Sequence, residues 1–239
     1  MMAQEKDYEK IETVADMGKR KAAEQAVSYV EDGMVIGLGS GSTVYWMMKK
    51  LGEHVKEGLQ VKGIPSSVRT ENWAQKFGIP LTGFDKVQEL DVAIDGADEI
   101  DPFFQLLKGG GGSLVREKIV NTAAKQVITI ADEGKYVKEL GKRPLPVEVL
   151  PFGWEVTAKR ITQLKATVKL REKEGNIFIS DNGNYIIDCK FPAIDDPYSL
   201  HNQLVQLAGV VETGLFLDLA DIVILGGPEN VRYLEKPNL

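Results

Sequence analysis

The sequence predicts an α/β fold: a Rossmann-like parallel sheet with helices on both faces, plus a smaller α+β, ferredoxin-like unit inserted before the last strand. Three observations predict it. Short apolar runs alternate with amphipathic stretches between residues 19 and 131, the pattern of parallel strands covered on both faces. Glycine-rich segments at 37–43 and 108–118 are each followed by a plausible helix, as strand–loop–helix units require. The alternation breaks at the proline-bearing stretch 143–151 and resumes with an apolar strand at 222–225, ahead of Gly226-Gly227.

Residues 19–30 read as a helix, with Ala22, Ala26 and Val30 on one face at four-residue spacing. Asp32-Gly33 then turns the chain into a strand at 34–38, and after GSGS a second helix runs over 43–51. A strand at 59–64 leads to a helix at 66–77 with serines at its N-terminal end. The strand at 90–94 ends at Asp95, a helix follows at 113–124, and 126–131 is the next strand. RPLPVEVLP (143–151) reads as a crossing segment that ends in an extended run. Beyond it come a helix at 155–164, strands at 166–170, 177–180 and 185–188, and a helix near 198–207. Asp181-Asn182-Gly183-Asn184 is a hairpin turn signal between two of those strands. These boundaries divide the chain into a larger α/β unit, 1–140 with 216–239, and a small α+β unit, 141–215, suited to association.

With 239 residues, 43% hydrophobic and 27% charged, the chain has room for a sizeable core and an ordinary globular composition. A formal charge of -6 argues against a nucleic-acid partner, which would call for a basic face. No apolar run approaches the roughly 20 residues that span a bilayer, so no membrane partner is expected. The charged N-terminus, MMAQEKDYEKIE, is unlike a secretory or transit leader. A single cysteine, Cys189, fits a reducing compartment, and the expected location is cytoplasmic. Two histidines and one cysteine argue against a zinc site of nitrogen and sulfur ligands. His54 and His201 read as surface residues, Cys189 as a packed thiol, and Trp46, Trp73 and Trp154 as core or interface.

Three segments carry chemistry. GLGSGST (37–43) sets glycines and hydroxyls between strand and helix, where unpaired N–H groups attract an anion and glycine permits its close approach. It fails the G-x-G-x-x-G dinucleotide pattern at Ser42, and no Gly-Lys-Ser/Thr follows as a nucleoside-triphosphate loop requires. A plain tight turn is the alternative. DGADE (95–99) places Asp95 at the carboxyl end of a strand, the edge where open α/β sheets bind ligands. Asp98 lies just beyond Gly96 and Ala97; a helix cap, an aspartate turn or a magnesium site would also fit. KGGGGSLVREK (108–118) is the strongest element, because four consecutive glycines are costly to order unless the backbone must pass tightly around a ligand. Ser113 is placed to cap the helix that carries Glu117. An isolated helical Glu is usually a solvated partner for a neighbouring Arg or Lys; the tetraglycine loop beside Glu117 argues otherwise.

In this order and spacing, thirteen residues from Asp95 to Lys108 and nine on to Glu117, the chain resembles ribose-5-phosphate isomerase of the A type. The carrying segments are GLGSGST, VAIDGADEID, LLKGGGGSLVREKIV, IADEGK, LGKRPLPVEVLP, SDNGNYIIDC and GVVETGLF. The resemblance implies interconversion of ribose 5-phosphate and ribulose 5-phosphate through a cis-enediolate, with no metal and no organic cofactor. It implies that Glu117 is the proton acceptor and that Asp95 and Asp98 engage the sugar hydroxyls and assist ring opening. Lys108 and the backbone of Gly109, Gly110 and Gly111 would contact the sugar end. Ser40, Gly41, Ser42 and Thr43 would form the first binding loop, Gly96 and Ala97 would lie near the sugar, and Lys19 and Lys135 would meet the phosphate. A homodimer or homotetramer is also implied. The sequence departs slightly from the pattern, with Ser40 where some members have Thr and Gly112-Ser113 where others have Ala-Ala. Two other classes compete. A non-catalytic sugar-phosphate sensor would need a DNA-binding segment, for which the N-terminal 18 residues are too short and too acidic. A coenzyme A transferase or amino-sugar-phosphate deaminase shares the glycine–serine loop but not the later segments.

Overall fold

The structure is a computed structural model and describes residues 13–236. The acidic N-terminal run read at 1–12 lies outside them. Along the first half of the chain run α1 (Val14–Ala26), β1 (Val35–Leu38), α2 (Ser42–Lys56), β2 (Lys62–Pro65), α3 (Val68–Phe77) and β3 (Val92–Gly96). Two short strands, β4 (Glu99–Ile100) and β5 (Leu106–Leu107), precede α4 (Leu114–Thr122) and β6 (Val127–Asp132). The second half adds β7 (Leu145–Val149), α5 (Trp154–Thr162), β8 (Thr167–Leu170), β9 (Glu172–Lys173), β10 (Asn176–Ile177) and β11 (Tyr185–Lys190). Then come α6 (Pro197–Val205), β12 (Val210–Thr213), β13 (Leu215–Phe216), β14 (Ile222–Gly226) and β15 (Val231–Glu235).

The main sheet has the order β15-β14-β6-β3-β1-β2, parallel except for β15. Alternation along its strands decides which helix covers which face. Ile36, Leu38, Val92, Ile94, Ile128 and Ile130 share one core with Ala22, Ala26, Met47, Leu51 and Trp73 of α1, α2 and α3. The opposite face presents Gly37 and Ala93 to α4, and these are small for a reason. A Cβ on Gly37 would lie 2.6 Å from Val120 Cγ1 and 2.9 Å from Ala93 Cβ. Helix α4 can therefore press close to the sheet, and it brings Glu117 with it.

From β1 the chain moves outward to β2, then returns to place β3 on the other side of β1. That reversal opens a crevice at the carboxyl ends of β1 and β3, the switch point where such sheets hold ligands. A second sheet, β12-β7-β11-β8, is antiparallel and packs with α5 and α6 around Leu145, Val147, Ile187, Cys189, Ile161 and Leu204. A three-stranded sheet, β13-β5-β4, takes two strands from the connection between β3 and β6 and one from between β12 and β14, and β9 and β10 form a short ribbon.

Most predicted elements are present with shifted ends, but of the strand read at 177–180 only Ile177 lies in one: β10 pairs with β9, and a single bridge, Ile179 to Tyr185, is left of the predicted hairpin. Four further readings need correction. The first helix begins at Val14, not 19, because Thr13 caps it by accepting from the Asp16 N–H. RPLPVEVLP is no mere crossing segment: β7 is an interior strand between β12 and β11, and Pro146 is tolerated near its start. The strand at 222–225 is not the last, since β15 follows and pairs antiparallel at the sheet edge. His201 is no surface bystander; it is half-buried, with Nδ1 2.8 Å from Thr213 Oγ1. Cys189 is a buried thiol, and burial, with Asp188 next to it, pushes its pKa well up. Among the described residues no helix is long and apolar enough to cross a membrane.

Candidate active site

Five loop segments, at 40–43, 67–69, 96–98, 108–113 and around 135, meet at the carboxyl edge of the main sheet around a cavity of about 130 Å³. After β1, Gly41 takes φ +103, a value glycine adopts without strain, and α2 begins at Ser42. Ser40, Gly41, Ser42 and Thr43 all line the cavity, so the open N-terminal N–H groups of α2 lie at its wall. Gly39 has no room for a side chain: a Cβ there would lie 2.6 Å from Asp95 Cα. The Ser40 hydroxyl turns away into a cluster with Ser66, Ser67 and Thr70 at 2.9, 2.9 and 3.2 Å. Thr70 in turn donates to Gly39 O at 2.7 Å, and Ser67 caps α3. This cluster ties the first loop to α3.

At the heart of the site Lys108 is buried between three oxygens. Its Nζ donates to the Gly96 carbonyl, lies 3.0 Å from Asp95 Oδ2 and 3.4 Å from Glu117 Oε1. Burial pulls the Lys108 pKa down, but the two carboxylates outweigh it and the ammonium is held above its ordinary value. Asp95 is 1% exposed, and its oxygens also accept from Ser40 N at 3.1 Å, Gly96 N at 2.7 Å and Asn121 Nδ2 at 3.3 Å. It stands behind the cavity wall and does not line it.

Glu117 has the opposite environment. It is buried, and among the described residues its Oε1 reaches only Lys108 and its Oε2 has no hydrogen-bond partner. Burial, opposed by Lys108 and reinforced by Asp95 and Asp98, raises its pKa to about 8. Both Glu117 and Lys108 line the cavity, which also receives Asp98, Gly96 and Ala97. Asp98 Oδ2 accepts from the Gly110 N–H at 2.8 Å. Gly109 and Gly111 line the cavity directly, whereas Gly110 faces Asp98 instead. Lys19, ion-paired with Asp16 at 2.9 Å, and Lys135 reach the rim from α1 and from beyond β6. Burial, and next the Arg143 charge, lower the Lys135 pKa, so a bound dianion would be welcome there.

Residues 62–230 match the family model of ribose 5-phosphate isomerase A (phosphoriboisomerase A). The chain belongs to the ribose 5-phosphate isomerase A family. It is 50% identical to ribose-5-phosphate isomerase A 1 of Oceanobacillus iheyensis over 217 residues, which is 90% of this chain and 97% of that one. It is 52% identical to the ribose-5-phosphate isomerase A of Shouchella clausii, over 92% of this chain and 97% of that one. Among solved structures, a D-ribose-5-phosphate isomerase in complex with phospho-erythronic acid superposes with TM-score 0.90 at 42% identity, covering 93% of this chain and all of that one. The enzyme of Methanocaldococcus jannaschii gives TM-score 0.87 at 40% identity, over 91% and 98% of the two chains. An α/β isomerase with a central, mostly parallel sheet is thus the setting for this cavity.

Family membership makes the departures from the sequence reading informative. Asp95, expected at the sugar, stands behind Lys108, because Ser40, Gly96 and Asn121 hold it from the protein side. Ser113 occupies the N-cap position of α4, but its hydroxyl makes no capping bond and it lines the cavity instead. Ser67 and Arg69 also line the cavity and were missed. The serines at 66 and 67 gave a signal, but as helix caps, and Arg69 gave none. Asn121, one turn beyond Glu117, had the helical spacing that would place it beneath the same face. Among the described residues no group of three or more His, Cys, Asp or Glu could hold a metal ion.

Proposed function

We infer that this protein interconverts D-ribose 5-phosphate and D-ribulose 5-phosphate, an aldose–ketose isomerisation of the non-oxidative pentose phosphate pathway. The observation that carries the reading is the unpartnered Oε2 of Glu117, buried beside Lys108 in a cavity whose wall includes the α2 N-terminus. Lys19, Lys135 and the loop of Ser40 to Thr43 receive the phosphate, and Asp98 takes the sugar hydroxyls. Anchoring the far end positions C1 and C2 of the opened sugar against Glu117. Oε2 takes the proton from C2, and the bond's electrons move into the C1–C2 link while the carbonyl oxygen becomes the enediolate oxygen. Lys108 lies where its charge would stabilise that oxygen, and Asp95 holds the ammonium from behind. The same carboxyl then returns its proton to C1, and the hydroxyl proton on O2 passes to O1 as C2 becomes the carbonyl. No cofactor is required by these steps.

The testing assay is turnover of ribose 5-phosphate by purified protein with a metal chelator present. Loss of activity on chelation would move the acidic pair to a metal role, and no turnover with or without chelator would end the reading.

We also propose a cytoplasmic location, for which the lone buried thiol is suited. The partners proposed are a sugar phosphate and further copies of this chain, with neither nucleic acid nor membrane. The unit 141–215 is proposed to carry association as a homodimer or homotetramer. Its support is a run of exposed apolar side chains, Leu150, Phe152 and Val156, with Phe152 97% exposed. Phe152→Asp is expected to reduce the sedimenting mass; an unchanged multimer would remove this surface from the contact.

A further inference from the structure

We propose that Arg171, held by Asp188, is a positioning residue that fixes the polarity of the tetraglycine loop from outside the cavity. Arg171 joins β8 to β9 and is itself pinned by the backbone: its N–H donates to Ile186 O at 2.8 Å, and its carbonyl accepts from Phe178 N at 2.9 Å. Asp188 on β11 accepts from both sides of the guanidinium, from Nε at 2.9 Å and from Nη2. That two-point pairing fixes the plane of the guanidinium, as a single ammonium contact would not. The remaining nitrogen, Nη1, donates to Gly109 O at 2.8 Å and to Gly110 O at 3.3 Å.

A trans peptide points its C=O and its N–H in opposite directions. Drawing the Gly109 carbonyl outward to Arg171 therefore turns the Gly110 N–H inward, where it meets Asp98 at 2.8 Å. Drawing the Gly110 carbonyl outward turns the Gly111 N–H the other way, toward the cavity that Gly111 lines. Glycine has no side chain to resist a peptide flip, and a flipped plane would aim carbonyl oxygens at an anionic substrate. Lys108, Asp95 and Glu117 are held by β3, β5 and α4 and do not depend on this clamp. The loop donors do. The far end of the loop is gripped by the same strand region: Gly112, at φ +90, has no room for a Cβ because Phe178 fills the space. The Arg171 guanidinium lies 5.9 Å from the Phe178 ring.

This inference rests on the isomerase reading for its kinetic arm only. Arg171→Met keeps the stem length and removes the donors, and kcat/KM for ribose 5-phosphate is expected to fall at least ~10-fold. The acid limb of the pH profile, set by Glu117, should not move. Arg171→Lys should recover part of the loss, and Asp188→Asn, which leaves Arg171 in place, should cost less than Arg171→Met. The double variant Arg171→Met/Asp188→Asn should be no worse than Arg171→Met alone, as expected if Asp188 acts through Arg171. Amide exchange at Gly110 and Gly111 should quicken in each variant in the same order. A purely structural role predicts lower thermal stability with kcat/KM within ~2-fold of wild type and unchanged loop exchange, and that result overturns the proposal. If Arg171→Met does not fold, Arg171→Lys and Asp188→Asn decide it by the same two readouts. Wild-type protein inactive on ribose 5-phosphate would sink the isomerase reading, while loop exchange would still decide the role of Arg171.

Discussion

Two carboxyl groups a few ångströms from one ammonium sit in opposite hydrogen-bonding environments. Asp95 is saturated with donors and pairs with Lys108, whereas Glu117 is buried with one oxygen unpartnered. A base that must take a proton from carbon gains from this, because a raised pKa means greater basicity. Glu117→Gln preserves shape and removes the base, so activity should fall by about three or more orders of magnitude with the far-ultraviolet dichroism unchanged; turnover near wild type would remove Glu117 from the role. The pH profile offers a second check. Glu117 works only when deprotonated and its pKa is raised, so the acid limb of kcat/KM should lie well above the ordinary carboxylate range, near 8. Lys108 favours the charged carboxylate, so Lys108→Met should shift that limb further up as well as lowering the rate. A limb at ordinary glutamate values in either protein would mean that another group is being titrated.

The elements show how the site is held and how much of it could be read beforehand. Helix α4 reaches the switch point because Gly37 and Ala93 leave the sheet low beneath Val120. Gly37→Val would force the helix outward, costing roughly 1–3 kcal/mol or more by overpacking and displacing Glu117. Denaturant unfolding and turnover should fall together; a stable, active variant would show that α4 does not depend on that close approach. The strands and helices around the parallel sheet were legible because apolar runs and glycine punctuation carry local signals, and the tetraglycine loop announced a tight passage around something. What stayed hidden was long-range. Nothing near residue 171 or 188 says that Asp188 holds Arg171 against the loop at 109–110, more than sixty residues away in sequence from Arg171. Pro146 inside an interior strand misled for a local reason: proline usually marks an edge or a break. β15 has no fully buried side chain and follows the expected final strand, so its pattern was too weak to notice.

At the scale of the whole molecule, a base held in a buried, partly unpartnered state should leave a mark on global stability. In the unfolded chain Glu117 would titrate in the ordinary glutamate range, whereas the native carboxyl keeps its proton up to about 8. Between those values the native state binds the additional proton, so stability falls as pH rises. The contribution is present in full below the ordinary glutamate range, is drawn down through the window, and is gone above about 8. Glutamine at 117 carries no titrating group and escapes this loss. Glu117→Gln should therefore gain stability relative to wild type as pH is raised through that window, by on the order of a few kcal/mol at the upper end. Paired urea unfolding curves at pH 5 and pH 9 measure it directly. Equal differences at the two pH values would mean that the native carboxyl titrates like an exposed one, and the electrostatic basis for its catalytic role would go with it.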